Sequence, residues 1–388
     1  MTWLASPLAL LAAAPWVLLP PLAMVRVARS RSLAEESATP PPSAPLVSIV
    51  VPARNEARNI GRCVRSILAT WYEPIELIVV DDHSTDDTSD VARAAAGGDV
   101  RLRILANPPL PDGWFGKQWA CTTGASAASG SIVLFTDADT MHAPDLLPRA
   151  LNRLMRDGAD LLSVAGQQEM RSFWERLLQP QVFWVLIVRY GGTESVNGAR
   201  RAEDVIANGQ YLLIRRQAYD GAGGHASVRD KVAEDLALAQ RFFRLGLRVR
   251  LVRGDDQLST HMYGSLSELI DGWGKNVFAG GIDAMPGGAV GRVLFPVFLP
   301  LAPLMALAPL AGFVLAVAGV AGPAVATWST ICLAATLLWW ALIYRGFHQR
   351  IWYALLFPVG AAVVLFIVLR AIGRGRRVGW KGREYVAR

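Results

Sequence analysis

Apolar positions follow a regular pattern between residues 46 and 285. Short apolar runs at 46–52, 75–80 and 131–135 have the length of buried strands, and each is followed by polar or acidic residues. Between them lie stretches whose apolar residues recur at helical spacing. Strands that alternate with helices at short intervals predict an α/β domain with a mainly parallel sheet.

The pattern becomes less regular after residue 160. Strands are predicted at 161–165, 209–214 and 248–252. The aromatic-rich stretch 173–190 fits either a buried core helix or a helix lying at a membrane interface. The polar, glycine-bearing segment 191–208 is predicted to be a mobile loop.

Longer apolar segments lie outside this region. They have the length of membrane-spanning helices and occupy residues 3–25, 293–320, 323–344 and 351–372. The chain is 52% hydrophobic with a mean hydropathy of +0.30, which is too apolar for an ordinary soluble enzyme. The first segment lacks the basic start and the small-residue cleavage site of a secretory signal, so we predict a retained anchor.

These patterns divide the chain into five parts. They are an N-terminal membrane anchor (1–28), a Pro/Ser-rich linker (29–45), the α/β domain (46–285), C-terminal membrane segments (290–373) and a basic tail (374–388). Basic residues that follow the anchor predict a cytoplasmic α/β domain on a multi-pass protein of the cell (inner) membrane.

The basic tail conflicts with three C-terminal crossings, because these would place it outside the cell. Since 293–320 is interrupted by four prolines, we expect it to be re-entrant or interfacial and the tail to be cytoplasmic. The net charge of +7 is concentrated beside membrane segments, without the aromatic-interleaved basic face of a nucleic-acid partner.

Acidic residues after the predicted strands indicate a site for a metal ion and phosphates. Asp137 and Asp139 follow one strand, and two carboxylates so close together repel unless a cation lies between them. Oxygen ligands of this kind suit Mg²⁺ or Mn²⁺ holding phosphates. The alternative is a turn whose Asp side chains are solvated. Two other strands are also followed by polar or acidic residues, namely Asn55 and Glu56, and Asp81 and Asp82. Because parallel strands bring their carboxyl ends to one edge of the sheet, these residues predict a nucleotide-binding crevice.

In their order and spacing these motifs resemble the family 2 glycosyltransferases of the GT-A fold. The matching motifs are Pro-Ala-Arg-Asn-Glu at 52–56, Val-Asp-Asp-His-Ser-Thr-Asp at 80–86, Thr-Asp-Ala-Asp at 136–139 and Glu-Asp at 234–235. Further motifs at 113–120, 209–211, 223–225, 272–276 and 378–385 are similar to the membrane-anchored branch that glycosylates lipids. That branch includes carotenoid-acid (diaponeurosporenoate-type) and hopanoid-associated transferases and, more distantly, ceramide glucosyltransferase.

The resemblance implies roles for particular residues. Pro52, Asn55 and Glu56 would frame the nucleotide base, and Asp81 or Asp82 would accept a hydrogen bond from the uracil or ribose of a UDP-sugar. A metal site formed by Asp139 with Asp137 would hold Mg²⁺ or Mn²⁺ on the diphosphate.

The resemblance also implies that Asp235 is the general base, and it alone indicates that Asp235 rather than Glu234 points inward. A plain helix N-terminal charge is the alternative.

Other candidates are also placed in the nucleotide-sugar site. Lys117 would act as a point charge on the diphosphate. His225, which follows a Gly-Gly turn, would contact substrate or phosphate, with a structural turn as the alternative. Trp273 and Lys275 would belong to the donor site, with an interfacial anchor as the alternative for Trp273.

The implied function is an inverting transfer of one sugar from a UDP-sugar to a membrane lipid acceptor. The stretch 273–276 departs from the Gln-x-x-Arg-Trp pattern of processive synthases, which disfavours a cell-envelope polysaccharide synthase. A polyprenyl-phosphate glycosyltransferase remains the main alternative. A membrane scaffold with a vestigial nucleotide fold is disfavoured by the intact acidic set.

Overall fold

The chain forms two compact units in the computed structural model, which describes residues 7–283, 285, 288–375, 377–380 and 383–386. The first, here called the sheet unit, comprises Ser30–Glu169, Thr193–Met262 and Arg376–Arg388. The second, here called the helical unit, comprises Met1–Arg29, Met170–Gly192 and Tyr263–Gly375.

The strands belong to the sheet unit. They are β1 (Val47–Ala53), β2 (Ile75–Asp81), β3 (Leu102–Ala106), β4 (Ile132–Thr136), β5 (Thr140–His142), β6 (Leu161–Ala165), β7 (Gln167–Gln168), β8 (Tyr211–Arg215), β9 (Val249–Arg253), β10 (Leu258–Thr260), β11 (Arg377–Trp380) and β12 (Arg383–Val386).

The α-helices are divided between the two units. They are α1 (Pro7–Ala28), α2 (Ile60–Leu68), α3 (Thr88–Ala96), α4 (Gly116–Ala127), α5 (Leu146–Arg156), α6 (Phe173–Tyr190), α7 (Thr193–Asn197), α8 (Arg216–Gly221), α9 (Glu234–Arg244), α10 (Leu266–Lys275), α11 (Gly281–Asp283), α12 (Gly288–Phe298), α13 (Leu301–Val317), α14 (Pro323–Gly346) and α15 (Phe357–Arg374).

A seven-stranded sheet in the order β3-β2-β1-β4-β8-β6-β9 organises the sheet unit. Only β8 runs antiparallel to its neighbours among these described strands, which confirms the predicted mainly parallel α/β fold. Because β1 lies between β2 and β4 and all three are parallel, their carboxyl ends meet at one edge. The acidic residues that follow these strands are therefore brought to the same place.

The central strands are apolar on both sides because both faces of the sheet are covered. Every residue of β4 is buried, and β1 is buried except at Pro52. Ile49 and Leu77 belong to the core on one face, and Val50 and Ile78 belong to the core on the other. This double burial explains why the strands read as continuous apolar runs rather than as alternating ones.

Several elements of the sheet unit were not predicted. A second sheet joins β5, β10 and β7, and helix α5 precedes β6. Strands of two or three residues hold too few positions to show a period.

The predicted mobile loop at 191–208 instead contains α7. The side-chain amide of Asn197 bonds both the N–H and the carbonyl of Leu251 in β9, at 2.8 and 2.9 Å. Its polar residues thus cover the edge of a strand, and the prediction of an irregular loop is corrected.

The helical unit contains four candidate membrane spans among the described residues, as the sequence predicts. By length and composition they are Leu11–Ala28, Val290–Val317, Pro323–Gly346 and Ile351–Arg374. Helix α1 continues through three internal prolines, whereas the second span is divided between α12 and α13 at residues 299–300.

Helix α6 of the helical unit has two different sides. Leu177, Leu178 and Gln181 are buried, and the Gln181 amide donates to the Tyr344 hydroxyl at 3.1 Å. Val185 and Val188 are each 42% exposed. The helix is therefore not wholly a core helix, and its exposed apolar residues are typical of an interfacial position.

Candidate active site

The two acidic residues that follow Val80 have different surroundings. Asp81 Oδ1 accepts from the Ser84 N–H at 2.9 Å and Oδ2 from the Ser89 hydroxyl, so its oxygens join the loop after β2 to the first turn of α3. Asp82 is 1% exposed and points elsewhere. Its Oδ1 accepts from the Asn107 side-chain amide at 2.9 Å. The two carboxylates thus have different partners, and the role of either in binding a nucleotide stays a prediction.

The loops after β1 and β2 are held together by side chain–backbone hydrogen bonds. Asn55 has a left-handed backbone (φ 54°), and its Oδ1 accepts from the Thr85 N–H at 2.8 Å. The Glu56 N–H donates to the Thr88 hydroxyl at 2.8 Å. Pro52, at the end of β1, lies beside Val80. These predicted site residues thus lie at one edge of the sheet.

A lysine links two acidic residues at the same edge. Lys117 Nζ, in the first turn of α4, lies 2.7 Å from Asp137 Oδ1 and 2.7 Å from Glu234 Oε1. Burial lowers the pKa of Lys117, but the two carboxylates outweigh this and raise it well above its ordinary value. Lys117 is therefore cationic and joins the loop after β4 to the start of α9.

Asp139 has a buried carboxylate oxygen and acidic neighbours. Its Oδ1 is buried and has no hydrogen-bond partner among the described residues. Burial, together with the charges of Asp137 and Glu56, raises the pKa of Asp139 well above its ordinary value. A buried carboxylate oxygen without a partner beside other carboxylates fits a divalent cation, because such a cation would offset all three charges.

Asp137 and Asp139 alone would give a bound metal ion only part of its coordination. Within the part of the chain that the structure describes, no group of three or more His, Cys, Asp or Glu side chains could hold a metal ion. Asp137 and Asp139 would thus need ligands from a bound molecule, as is common for Mg²⁺ held by one or two carboxylates and substrate phosphates.

Asp235 and Glu234 are adjacent but have separate partners. Asp235 Oδ2 accepts from the Gly209 N–H at 2.8 Å, and a Cβ at Gly209 would lie only 2.9 Å from that oxygen. Burial and the charge of Glu234 raise the pKa of Asp235 to about 6, with Lys117 acting in the opposite direction. Glu234 contacts Lys117, so the resemblance-based choice of Asp235 as the base is compatible with the geometry.

His225 lies beneath the sheet edge in a packed position. Its Nδ1 is 2.9 Å from the Tyr219 hydroxyl, and its ring is 4.5 Å from that of Phe135. Burial lowers the pKa of His225 to about 4, so its ring is neutral at pH 7. A role in contacting substrate stays a prediction.

Trp273 and Lys275 belong to helix α10 of the helical unit. The Trp273 ring is 5.4 Å from Phe183 and 6.2 Å from Tyr263, both in the same unit. Their predicted part in donor binding stays a prediction.

Two further residues at this edge were not among the predicted site residues. Asn107 directly follows β3, so the strand-end rule that selected the other residues would also have found it. Glu234 was recognised as a motif residue but not as a partner of Lys117, because nothing in the local sequence connects positions so far apart.

Known proteins similar to this chain include glycosyltransferases. Residues 48–223 match the model of the Glycosyl transferase family 2. A 4,4'-diaponeurosporenoate glycosyltransferase of Staphylococcus aureus (strain USA300) is 29% identical over 239 residues, which are 60% of this chain and 61% of that protein. The chain thus matches less than two thirds of the length of this relative.

A solved structure shares the fold. The mannosyltransferase PcManGT from Pyrobaculum calidifontis, in complex with GDP-Man and Mn²⁺, has a TM-score of 0.56 at 21% identity, covering 94% of this chain and 97% of that one. The region 48–223 is therefore similar to the family 2 glycosyltransferases, as its motifs predicted, and the chain has a GT-A-like fold.

Proposed function

We propose that this protein is a membrane-bound inverting glycosyltransferase that moves one sugar from a nucleotide sugar, a UDP-sugar, to a membrane lipid. The observation that supports this most is the charged cluster of Asp137, Asp139, Lys117, Glu234 and Asp235 at the carboxyl edge of the sheet. The cluster brings together groups that could bind a diphosphate, hold a cation and accept a proton.

The donor would lie along this edge from Asp82 to Asp139. At one end, Asp82 accepts from a ring N–H or a ribose hydroxyl, while Asn55, Glu56 and Pro52 line the loop beside it. At the other end, Lys117 offers its charge to the diphosphate, and its pairing with Asp137 keeps that charge in position.

Asp139 and Asp137 would hold Mg²⁺ or Mn²⁺. The buried Oδ1 of Asp139, which has no hydrogen-bond partner in the described part of the chain, supports this assignment. A bound divalent cation neutralises charge that develops on a leaving diphosphate.

Asp235 would act as the general base. The acceptor oxygen forms a bond to the anomeric carbon while the bond from that carbon to the phosphate oxygen breaks, and the electron pair leaves on the nucleoside diphosphate. One displacement of this kind inverts the anomeric centre. The acceptor proton passes to Asp235, whose pKa of about 6 leaves it ionised at pH 7 yet closer to that pH than an ordinary carboxyl.

A lipid acceptor is supported by the four candidate membrane spans and by the relative that is named for diaponeurosporenoate, a carotenoid acid. An enzyme with a water-soluble acceptor has no need of membrane spans. The acceptor group is a hydroxyl or a carboxyl of a carotenoid, a hopanoid or another isoprenoid or glycolipid.

Purified in detergent with host lipid extract, the protein is expected to release UDP from one UDP-sugar, in a reaction that needs both lipid and Mn²⁺. The donors tested would be UDP-glucose, UDP-galactose, UDP-N-acetylglucosamine and GDP-mannose, with UDP or GDP release and labelled lipid as readouts. Release that is independent of lipid, or no release with any donor, would contradict the proposal. A labelled product cleaved by mild acid would favour the polyprenyl-phosphate alternative instead.

We also expect the C-terminus to lie on the same side of the membrane as the sheet unit, which we place in the cytoplasm. The described tail residues fold within the sheet unit, where Arg383 pairs with Asp82. If all three C-terminal candidate spans crossed the membrane, the tail and the rest of the sheet unit would lie on opposite sides. Val290–Val317 is broken between its two helices, and we expect that it does not cross.

Reporter fusions test this arrangement. Alkaline phosphatase fused after Arg388 is expected to be inactive, and the same reporter fused after Gln349, between α14 and α15, is expected to be active. The opposite pair of results would show that Val290–Val317 crosses the membrane.

A further inference from the structure

The tail of the chain reaches Asp82 within the sheet unit. Strands β11 and β12 form an antiparallel hairpin in which Val378 pairs with Tyr385. Arg383 Nη1, on β12, donates to Asp82 Oδ2 at 2.5 Å, although the two residues are 301 positions apart. The Asp82 side chain is 2% exposed and that of Arg383 is 19% exposed, so the pair is largely shielded from water.

The second hairpin contact lies beside the first. The Tyr385 hydroxyl accepts from the N–H of Gly116, the first residue of α4, at 3.3 Å, and the Tyr385 ring packs 4.4 Å from that of Phe115. Arg383 also hydrogen-bonds Tyr385. The hairpin thus fixes two parts of the candidate active site, the Asp82 carboxylate and the start of the helix that carries Lys117.

Gly116 fits this contact closely. A Cβ at this position would lie 2.6 Å from Arg383 Nη1, 2.6 Å from Asp82 Oδ2 and 3.3 Å from the Tyr385 hydroxyl. A residue with a side chain would therefore displace the arginine, the aspartate or both. The site has space for the hairpin only because position 116 is glycine.

Asp82 has donors on both sides as a result. Its Oδ1 accepts from Asn107 and, at 3.5 Å, from Arg383 Nη2, while its Oδ2 accepts from Arg383 Nη1. A buried carboxylate without hydrogen-bond donors carries a large desolvation cost. Asn107 and Arg383 supply these donors and fix the orientation of Asp82, while Oδ2 retains capacity to accept a further hydrogen bond.

We propose that the C-terminal hairpin completes the nucleoside end of the donor site, with Arg383 and Tyr385 as positioning residues that hold Asp82 and the first turn of α4 for a nucleoside diphosphate. This rests on the proposed function, since it takes Asp82 as the group that binds the nucleoside. The hairpin acts on binding of the nucleoside and not on the transfer step.

The test is binding of UDP and of UMP to the full-length, detergent-purified protein by calorimetry, followed by donor kinetics. Arg383→Ala is expected to raise the Kd of both nucleotides by about tenfold or more, because a charge-assisted hydrogen bond that organises the site is lost. It is expected to raise the donor KM by a similar factor with little change in kcat. Arg383→Lys, which keeps the charge but not the forked geometry, is expected to restore part of the binding.

Independent variants and a matched control complete the design. Gly116→Ala leaves the amino-acid sequence of the hairpin intact and is expected to weaken binding by displacing Arg383 or Asp82. Tyr385→Phe is expected to weaken binding less, because the ring contact with Phe115 remains. The matched control is Arg374→Ala. It removes an arginine of α15 that contacts Asp271 within the helical unit, and the variant is expected to bind UDP like the wild type.

The outcomes separate this inference from the proposed function. If the wild type binds neither UDP nor GDP, the proposed function fails. If the wild type binds UDP but a folded Arg383→Ala or Gly116→Ala variant binds it equally well, the hairpin has no part in the site. Tighter binding by Arg383→Ala would also overturn the proposal, since it would mean that Arg383 competes with the nucleotide for Asp82.

Discussion

Replacement of Asp235 by asparagine is expected to lower kcat for a hydroxyl-bearing lipid acceptor by about a thousandfold, a typical contribution of a general base. The amide is almost isosteric, and its oxygen can still accept from the Gly209 N–H, so the fold and the nucleotide affinity are expected to be retained. Sugar transfer to lipid and Kd for UDP would be measured on the same preparation. A variant that keeps more than a tenth of the wild-type rate would rule out Asp235 as the base.

The same variant has a matched control and a distinct pH profile. Asp220→Asn removes an exposed carboxylate that pairs with Arg216, and it is expected to leave transfer unchanged. Burial and Glu234 raise the pKa of Asp235 to about 6 against the effect of Lys117. The wild-type rate should therefore be flat above about pH 7 and fall tenfold per pH unit below about pH 6, as the base takes up a proton. Asp235→Asn should lack this acid limb.

Dependence on Asp235 also distinguishes the two acceptor classes. A carboxylate acceptor arrives already ionised at pH 7 and has no proton to give up. With such an acceptor, Asp235→Asn is expected to lose far less activity than with a hydroxyl. A comparison of the two acceptor types on one variant thus identifies which group receives the sugar.

Replacement of Asp139 by asparagine is expected to remove the metal-dependent part of the activity, a loss of about a thousandfold if the cation contributes about 4 kcal/mol. Nucleotide binding should become insensitive to Mn²⁺. The measurements are transfer rate and UDP affinity across a Mn²⁺ titration. A folded variant with a wild-type response to Mn²⁺ would exclude Asp139 as a ligand.

The same substitution is expected to stabilise the metal-free protein. Burial and the repulsion from Asp137 and Glu56 raise the pKa of Asp139, so its ionised form costs folding free energy at pH 7. This cost disappears below about pH 4, where the carboxyl is protonated in the unfolded chain as well. The thermal midpoint without metal should thus rise for Asp139→Asn at pH 7 and be unchanged near pH 4.

A neighbouring carboxylate provides the comparison. Asp137 pairs with Lys117 at 2.7 Å, so Asp137→Asn loses this contact while it relieves the repulsion with Asp139, and it should raise the midpoint less than Asp139→Asn. Equal stabilisation by both variants would show that the effect does not come from the unpaired oxygen of Asp139.

Much of the site could be predicted from positions that are close in the sequence. The strand ends at Asn55, Asp82 and Asp139 were predicted correctly because each follows an apolar run long enough to recognise, and parallel pairing brings such ends together. The same reasoning did not predict the sheet formed by β5, β7 and β10, whose strands are too short to show a period.

The choice between adjacent acidic residues required the tertiary structure. Asp81 and Asp82 are equivalent in the sequence, but their partners differ. Asp81 bonds Ser84 and Ser89, which follow it within eight residues, whereas Asp82 contacts the distant Asn107 and Arg383. Glu234 and Asp235 are likewise separated by the partners they find, which are Lys117 for the first and the Gly209 N–H for the second. A helix rotates successive side chains by a fixed angle, and only its packing decides which of them faces the site.

The amino-acid sequence by itself determined the α/β class, the four apolar segments and the strand-end carboxylates, since these depend on local patterns of apolar and polar residues. Only the tertiary structure decided that Lys117 lies between Asp137 and Glu234, that an oxygen of Asp139 has no partner among the described residues, and that Arg383 reaches Asp82. Such contacts join residues up to 301 positions apart, and no local period carries information about them.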